Sequence, residues 1–275
     1  MHLSPWLESL AVTLLAVAGA LLGRWFSGLP KPYWMLGYFI PLALIATYGV
    51  AARNPAVALD PPISWMTMGR NKFAVIGFVA TIVLTTPLSR MPVKRARVYV
   101  AVLMVVIVSM MSVWPFLAPA FNRTYLSRLK TRMDADGICR QSNDYNCGPA
   151  AAVTALRQLG FPAEEGEIAI LAHTSTATGT PPDILAQALH ERYAREGLLS
   201  EFRVFKQVDE LENAGLTLAV IKYSFMLNHY VTVLQLTNGH VVVGDPLKGK
   251  MALTREEFEE RWRHVGVVLR LNSPR

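Results

Sequence analysis

Four apolar stretches, each nearly free of charge, fill the chain before residue 122 and restrict the environments in which its first half can fold. They run approximately Leu7–Leu22, Tyr33–Ala52, Phe73–Leu88 and Val98–Ala118. Each is roughly the length that crosses a hydrocarbon core of about 30 Å at about 1.5 Å per residue. A helix of a soluble core keeps a polar face, and these stretches have none. Trp6, Trp25, Tyr33, Trp34, Tyr99 and Trp114 lie near their ends, where interfacial aromatics belong. The pattern predicts four transmembrane helices. A cleavable export signal does not fit the first stretch, because Arg24 follows the apolar run and no basic segment precedes it. Cations flanking the four stretches divide six against seven between the two sides, so charge bias assigns no orientation.

Charge separates the halves. Residues 1–132 carry 13 Lys and Arg against two acids, Glu8 and Asp60, for a net +11. Residues 133–275 carry 14 against 18, for a net −4. The basic balance therefore belongs to the helical half, where cations cap membrane helices, and gives no support to a nucleic-acid partner. The lipid bilayer is the partner it implies. Two cysteines, Cys139 and Cys147, are too few for a disulfide framework.

A polar, basic connector is expected from Asn122 to Asp136, containing the sequon-like Asn122, Arg123 and Thr124. Beyond it the composition is that of an α+β domain. Helices are predicted at Cys147–Leu159 (closed by Gly160), Glu164–Ala172, Pro182–Arg195 and Arg255–Arg263, the last opening with a capping box of Thr254 and Glu257. Strands are predicted at Glu201–Lys206, Leu216–Tyr223, Tyr230–Leu236, His240–Gly244 and Val265–Leu271. Thr237, Asn238 and Gly239 form a hairpin signal between two of them, since Asn-Gly tolerates positive φ.

Chemistry gathers at Cys147. Gly148, Pro149 and an alanine-rich run follow it, which puts the sulfur at a helix N-terminus. Unpaired amides and the helix dipole there favour a thiolate, the nucleophilic form. The bland alternative is a small buried hydrophobe. A thiolate nucleophile needs a base that can also protonate a leaving amine, usually His. Of six histidines, His229 heads a strand whose hairpin partner ends in an acid, Asp245. Antiparallel pairing about 237–239 brings 229 and 245 nearly opposite, where the acid can orient the imidazole. His190, His240 and His264 are read as surface or satisfied residues. Gln141, six residues before Cys147, has an amide able to donate to an oxyanion beside the Cys147 N–H.

Together these residues resemble the C39 peptidases, the papain-fold family that cleaves leader peptides after a Gly-Gly pair. Gln141 through Cys147-Gly148-Pro149-Ala150 looks like the family's Gln-x5-Cys-Gly-x-Ala segment. His229-Tyr-Val-Thr-Val resembles its His-hydrophobic strand, and Asp245-Pro246-Leu-Lys-Gly249 its Asp-Pro-x-x-Gly turn. Leu253, Thr254, Glu257, Phe258 and Trp262 are similar to its closing helix. The likeness implies an antiparallel-sheet α+β peptidase fold with Cys147 as nucleophile, His229 as base, Asp245 as its orienter and Gln141 as oxyanion donor. The expected organisation is a four-helix membrane domain over 1–121, a connector over 122–136 and a peptidase domain over 137–275. Asn146 departs from the family, which usually has Asp before the Cys. Well-known members also precede six membrane helices and an ATPase, whereas here four apolar stretches come first. The run Gly244 to Met251 mimics a phosphate-binding loop, but Met251 stands where Ser or Thr must bind magnesium.

The leading expectation is a membrane-anchored cysteine peptidase, in a bacterial inner membrane, that cleaves a short peptide or leader and works beside a separate export transporter. It needs no cofactor and no metal. The competing reading is a non-catalytic module that binds peptides for an export machine. The presence of both Cys147 and His229 favours the enzyme. A transporter or channel would show charged residues inside the apolar stretches, and Glu8 is peripheral. A metal hydrolase would show His-Glu-x-x-His or paired Cys spacing, and neither occurs.

Overall fold

The computed structural model describes residues 4–53, 70–224 and 227–272, so Asp60 lies outside the described residues. Two compact units result, Met1–Ala120 and Phe121–Arg275.

The first unit contains helices α1 (Pro5–Gly28), α2 (Leu36–Arg53), α3 (Asn71–Thr85) and α4 (Lys94–Val108). A π-turn over Ser109–Val113 joins α4 to α5 (Trp114–Leu126). Four spans are long and apolar enough to cross a membrane: Pro5–Gly28, Tyr33–Val50, Asn71–Arg90 and Lys94–Leu126. The π-turn falls just before Pro115, which has no N–H to continue the α ladder. Helix α1 starts at Ser4, whose hydroxyl accepts from the Leu7 amide at 3.4 Å, with Pro5 in its first turn. Leu10, Leu14, Val17, Leu21 and Trp25 point outward from it. Small residues face inward. A Cβ on Gly19 would overlap the Thr81 hydroxyl, and one on Gly23 would overlap that of Thr85. Thr81 Oγ donates to the Phe78 carbonyl at 2.8 Å, and Thr85 Oγ to that of Thr81. Their own helix thus satisfies both hydroxyls, and α1 and α3 approach through small residues. Glu8 pairs with the buried Arg70 at 2.7 Å.

Helix α5 runs on to Leu126, past the boundary expected at residue 121. Arg123 in its last turn complements the carbonyl end of the helix, so the change to polar composition does not end it. A short hairpin follows, β1 (Arg132–Met133) against β2 (Cys139–Arg140). The Asp134 carboxylate accepts from the amides of Asp136 and Ile138 inside its turn.

The rest of the second unit is built on a six-stranded antiparallel sheet. Its strands are β3 (Leu198–Val204), β4 (Leu216–Lys222), β5 (Asn228–Leu236), β6 (His240–Asp245), β7 (Gly249–Thr254) and β8 (Trp262–Leu271), in the order β3-β8-β4-β5-β6-β7. Helices α6 (Cys147–Gln158), α7 (Glu165–Leu171) and α8 (Pro182–Tyr193) bury Leu156, Ile168, Leu185 and Leu189 against Leu218, Val220, Tyr230 and Val267. Ala219, Ile221, Val231 and Val268, the alternate residues, join a second core with Phe205, Phe258 and Trp262. Because both faces are covered, β4 reads as a nearly unbroken apolar run. Helix α9 (Arg255–Arg261) has the expected capping box but stops short of Arg263. Trp262 already belongs to β8, paired opposite Ile221, with its ring 5.2 Å from that of Phe205. Strand β7 was not expected; its exposed Lys250 and Ala252 make it a weakly patterned edge strand.

The close α1–α3 approach predicts that Gly23→Leu lowers the thermal midpoint of the detergent-solubilised chain, at a cost of about 1–3 kcal/mol. Gly28→Leu, where a Cβ meets nothing within 4 Å, serves as control. Equal behaviour of the two variants in a thermal-shift assay would contradict the packing.

Candidate active site

Cys147 is the first residue of α6, after Asn146 at the cap position. Gly148 allows a close approach, since a Cβ there would stand 2.8 Å from Thr180 Cβ. The Thr180 carbonyl accepts from the Tyr230 hydroxyl at 2.9 Å. Farther along α6, the Ala151 carbonyl accepts from Thr232 Oγ at 2.9 Å. The second bond fixes α6 against β5, the strand that carries His229, and the first ties the Thr180 loop, which packs on Gly148, to the same strand.

The β5–β6 hairpin then supplies the acid. Thr232 pairs with Gly244, so His229 and Asp245 are displaced by only two positions from direct opposition. Their side chains span that offset, with His229 Nε2 2.8 Å from Asp245 Oδ1. The amides of Leu247 and Lys248 donate to the same oxygen at 2.7 and 3.3 Å. Gly249, at φ +90°, closes the turn. With Asp245 on Nε2, Nδ1 is the ring nitrogen left to serve Cys147, which lies close enough to raise the pKa of the imidazole. The structure therefore brings Cys147, His229 and Asp245 together.

Electrostatics follow from this geometry. Burial opposes a charge on the His229 ring, but the hydrogen bonds and negative charges of Asp245 and Cys147 outweigh it and raise its pKa to about 9. Burial would raise the Asp245 carboxyl, yet His229 and the two turn amides hold it below the usual carboxylate value. Both cysteines are free. Cys139 is fully buried, and burial, assisted by the nearby Glu165 charge, pushes its thiol up to about 12. Cys147 is also buried and belongs to the first apolar core, but retains 8% exposure.

Gln141 occupies the loop before Cys147. Its amide nitrogen donates to the Asn143 carbonyl at 2.8 Å, while its Oε1 is buried and unpartnered. Its backbone N–H donates to the Pro246 carbonyl at 3.1 Å, tying the cysteine loop to the turn after Asp245. His240 is exposed on the hairpin, and His264 sits beside Glu259 at 3.6 Å, both away from this constellation. Among the described residues, no group of three His, Cys, Asp or Glu is gathered to hold a metal ion.

Two residues went unnoticed in the sequence. Glu165, at the start of α7 and wholly buried, accepts from the Ser142 amide at 2.9 Å, the Ser142 hydroxyl at 2.6 Å and Asn146 Nδ2 at 3.2 Å. It thereby braces the loop that ends at Cys147. In the sequence it is one of several acids near a helix start, with nothing to distinguish it from Glu164 or Glu167. Tyr223 lies with its ring 5.7 Å from that of His229 and is 59% exposed.

Comparison with known proteins follows the same half of the chain. A solved double-glycine-motif protease from an AMS/PCAT transporter, crystallised with its leader peptide, is similar over 52% of this chain and 99% of its own, with 15% identity and a TM-score of 0.41. The peptidase domain of Streptococcus ComA, a bifunctional ABC transporter of a quorum-sensing pathway, is similar over 51% of this chain and 96% of its own, with 18% identity and a TM-score of 0.41. An uncharacterized protein of Methanothermobacter marburgensis is 29% identical over 132 residues, 48% of this chain and 87% of the relative. One from Methanothermobacter thermautotrophicus is 28% identical over 146 residues, 53% of this chain and 95% of the relative. The Peptidase C39 family model matches residues 136–274, half of the chain and nearly all of the sheet-bearing unit, and on that match the chain belongs to the peptidase C39 family.

Proposed function

We propose that this chain is a membrane-anchored cysteine peptidase that cuts a peptide or leader after a Gly-Gly pair, using Cys147, His229 and Asp245. The observation that carries the reading is the buried imidazole held between a helix-end thiol and a carboxylate, His229 Nε2 2.8 Å from Asp245 Oδ1. An imidazole whose pKa is raised to about 9 beside a cysteine supports the enzyme over a non-catalytic binding module.

In this reading Cys147 Sγ attacks the scissile carbonyl carbon, and the carbonyl π electrons move to oxygen. The Cys147 N–H and the uncommitted Gln141 amide hydrogen stabilise that oxyanion. As the C–N bond breaks, His229 gives its proton to the leaving amine. Water then attacks the thioester, losing its proton to the imidazole, and the carboxylic acid leaves Cys147 free. Asp245 holds Nε2 throughout, so Nδ1 faces the reacting atoms. Tyr223, Leu227 and Leu247 are exposed apolar side chains near this centre and offer contact to the residues flanking the cut. Gly-Gly selection rests on the family reading, and the tight Gly148–Thr180 contact suits a narrow groove. The helical unit would hold the peptidase at the membrane where an export transporter delivers or accepts the peptide.

Iodoacetamide is expected to alkylate Cys147 near neutral pH while Cys139 reacts only after unfolding. Cys147→Ala should abolish cleavage of a Gly-Gly leader peptide and leave its binding intact, whereas Asp245→Ala should slow cleavage by roughly 10²-fold. Cleavage surviving in Cys147→Ala would remove the nucleophile assignment; a wild-type chain that binds leaders and never cuts them would establish the binding module instead. For Glu165, Ala should strand the Ser142 and Asn146 donors, costing about 1–3 kcal/mol per group in stability and slowing Cys147 alkylation. Glu165→Gln, which preserves an acceptor for the Ser142 amide, should restore most of both. If Ala and Gln behave alike in denaturant titration and alkylation rate, the bracing role is wrong.

A further inference from the structure

A cavity of about 560 Å³ opens in the helical unit where the C-terminal half of α1 meets the end of α3 and the start of α4. Arg24, Arg97, Thr85 and Ser89 line it together with apolar Leu21 and Leu88. Arg97 Nε is buried and has no hydrogen-bond partner, and Arg24 makes no ion pair among the described residues. Among the described residues, neither is paired with an acid. The first 120 residues hold nine Lys and Arg against Glu8 and Asp60, and Glu8 is taken by Arg70. Arg90, at the same end, is spent on the carbonyls of Ser27 and Leu29.

Arg24, exposed at the rim, and the half-buried Arg97 put two like charges on one cavity, and the unmatched buried Nε of Arg97 costs further free energy. An anion between them removes both penalties. The planar, forked donors of Arg suit phosphate oxygens, and the Ser89 hydroxyl adds a third donor. The apolar wall and the cavity's size, within the range of about 300–1,000 Å³ usual for small-molecule sites, leave room for more than a bare ion. We propose that this cavity binds a phosphate group, carried by the headgroup of an anionic phospholipid, with Arg24 and Arg97 as its ligands. The lipid source rests on the membrane placement proposed above and is independent of catalysis at Cys147.

The test uses the full chain in nanodiscs of phosphatidylcholine with or without phosphatidylglycerol, with bound lipid read by native mass spectrometry. Wild type should retain one phosphatidylglycerol. The double variant R24Q/R97Q should bind it roughly thirtyfold more weakly, as expected for two lost cation–headgroup contacts. K94Q/R95Q, which removes exposed cations next to the cavity, should match wild type. Retention that persists in millimolar inorganic phosphate identifies the lipid, while displacement identifies a free phosphate at the same two arginines. Equal losses in the two double variants, or binding of neither probe, would overturn the site. Alkaline carbonate extraction reads the membrane placement separately: a wild-type chain released by it contradicts that placement and the lipid with it, whereas a retained chain indifferent to both probes contradicts the site alone.

Discussion

The hydrogen bond from His229 to Asp245 organises the sheet-bearing unit. It spans the β5–β6 hairpin at 2.8 Å, and the same carboxylate oxygen also receives two amides from the following turn. A carboxylate so held remains charged, and its charge keeps a proton on a ring that burial alone would neutralise. Across the site, the Thr232–Ala151 bond locks α6, which begins at Cys147, to the strand bearing that ring, and the Tyr230–Thr180 bond holds the loop packed on Gly148 to the same strand. Glu165 completes the frame from behind by absorbing the donors of the cysteine loop. Each support comes from a different element, so the geometry depends on the whole fold rather than on one loop.

The helical unit solves a different problem. In the membrane placement proposed above, hydrophobic burial would give little reason for apolar helices to associate, and close contact through small residues would replace it. Gly19 and Gly23 against Thr81 and Thr85 provide that contact, and the threonine hydroxyls are satisfied within their own helix. Cations collect at one end of this packing, where Arg90 reaches across to the carbonyls of Ser27 and Leu29. The two units thus obey separate rules: one keeps charge at its helix ends, and the other buries the carboxylates of Asp245 and Glu165 beneath hydrogen-bond donors.

Much of the architecture was legible because it rests on periodicity and punctuation. Uninterrupted apolar runs marked the four spans, Asn238-Gly239 marked the hairpin, and the capping box of Thr254 and Glu257 marked α9. The hairpin in turn allowed His229 and Asp245 to be paired, since antiparallel register is arithmetic about a turn. What remained hidden depends on tertiary context. Glu165 looks like any first-turn acid until the loop before Cys147 is folded over it. Strand β7 has an edge position and a weak pattern, and α5 outruns its apolar segment because Arg123 suits a helix C-terminus. The backbone link from Gln141 to Pro246 is invisible in the sequence, because it joins segments more than a hundred residues apart.

The charge state of the His229 ring tests the account most directly. A folded-state pKa of about 9 against 6.5 for a free histidine means the ring binds its proton more tightly in the folded chain. The resulting stabilisation is complete below pH 6.5 and disappears as pH rises through about 9. A ¹⁵N NMR titration of the imidazole in the full chain should therefore find it protonated at pH 7.5, with a midpoint near 9 that falls toward 6.5 in Asp245→Ala and in Cys147→Ala. A neutral ring at pH 7.5 in the wild type, or a midpoint indifferent to both substitutions, would contradict it.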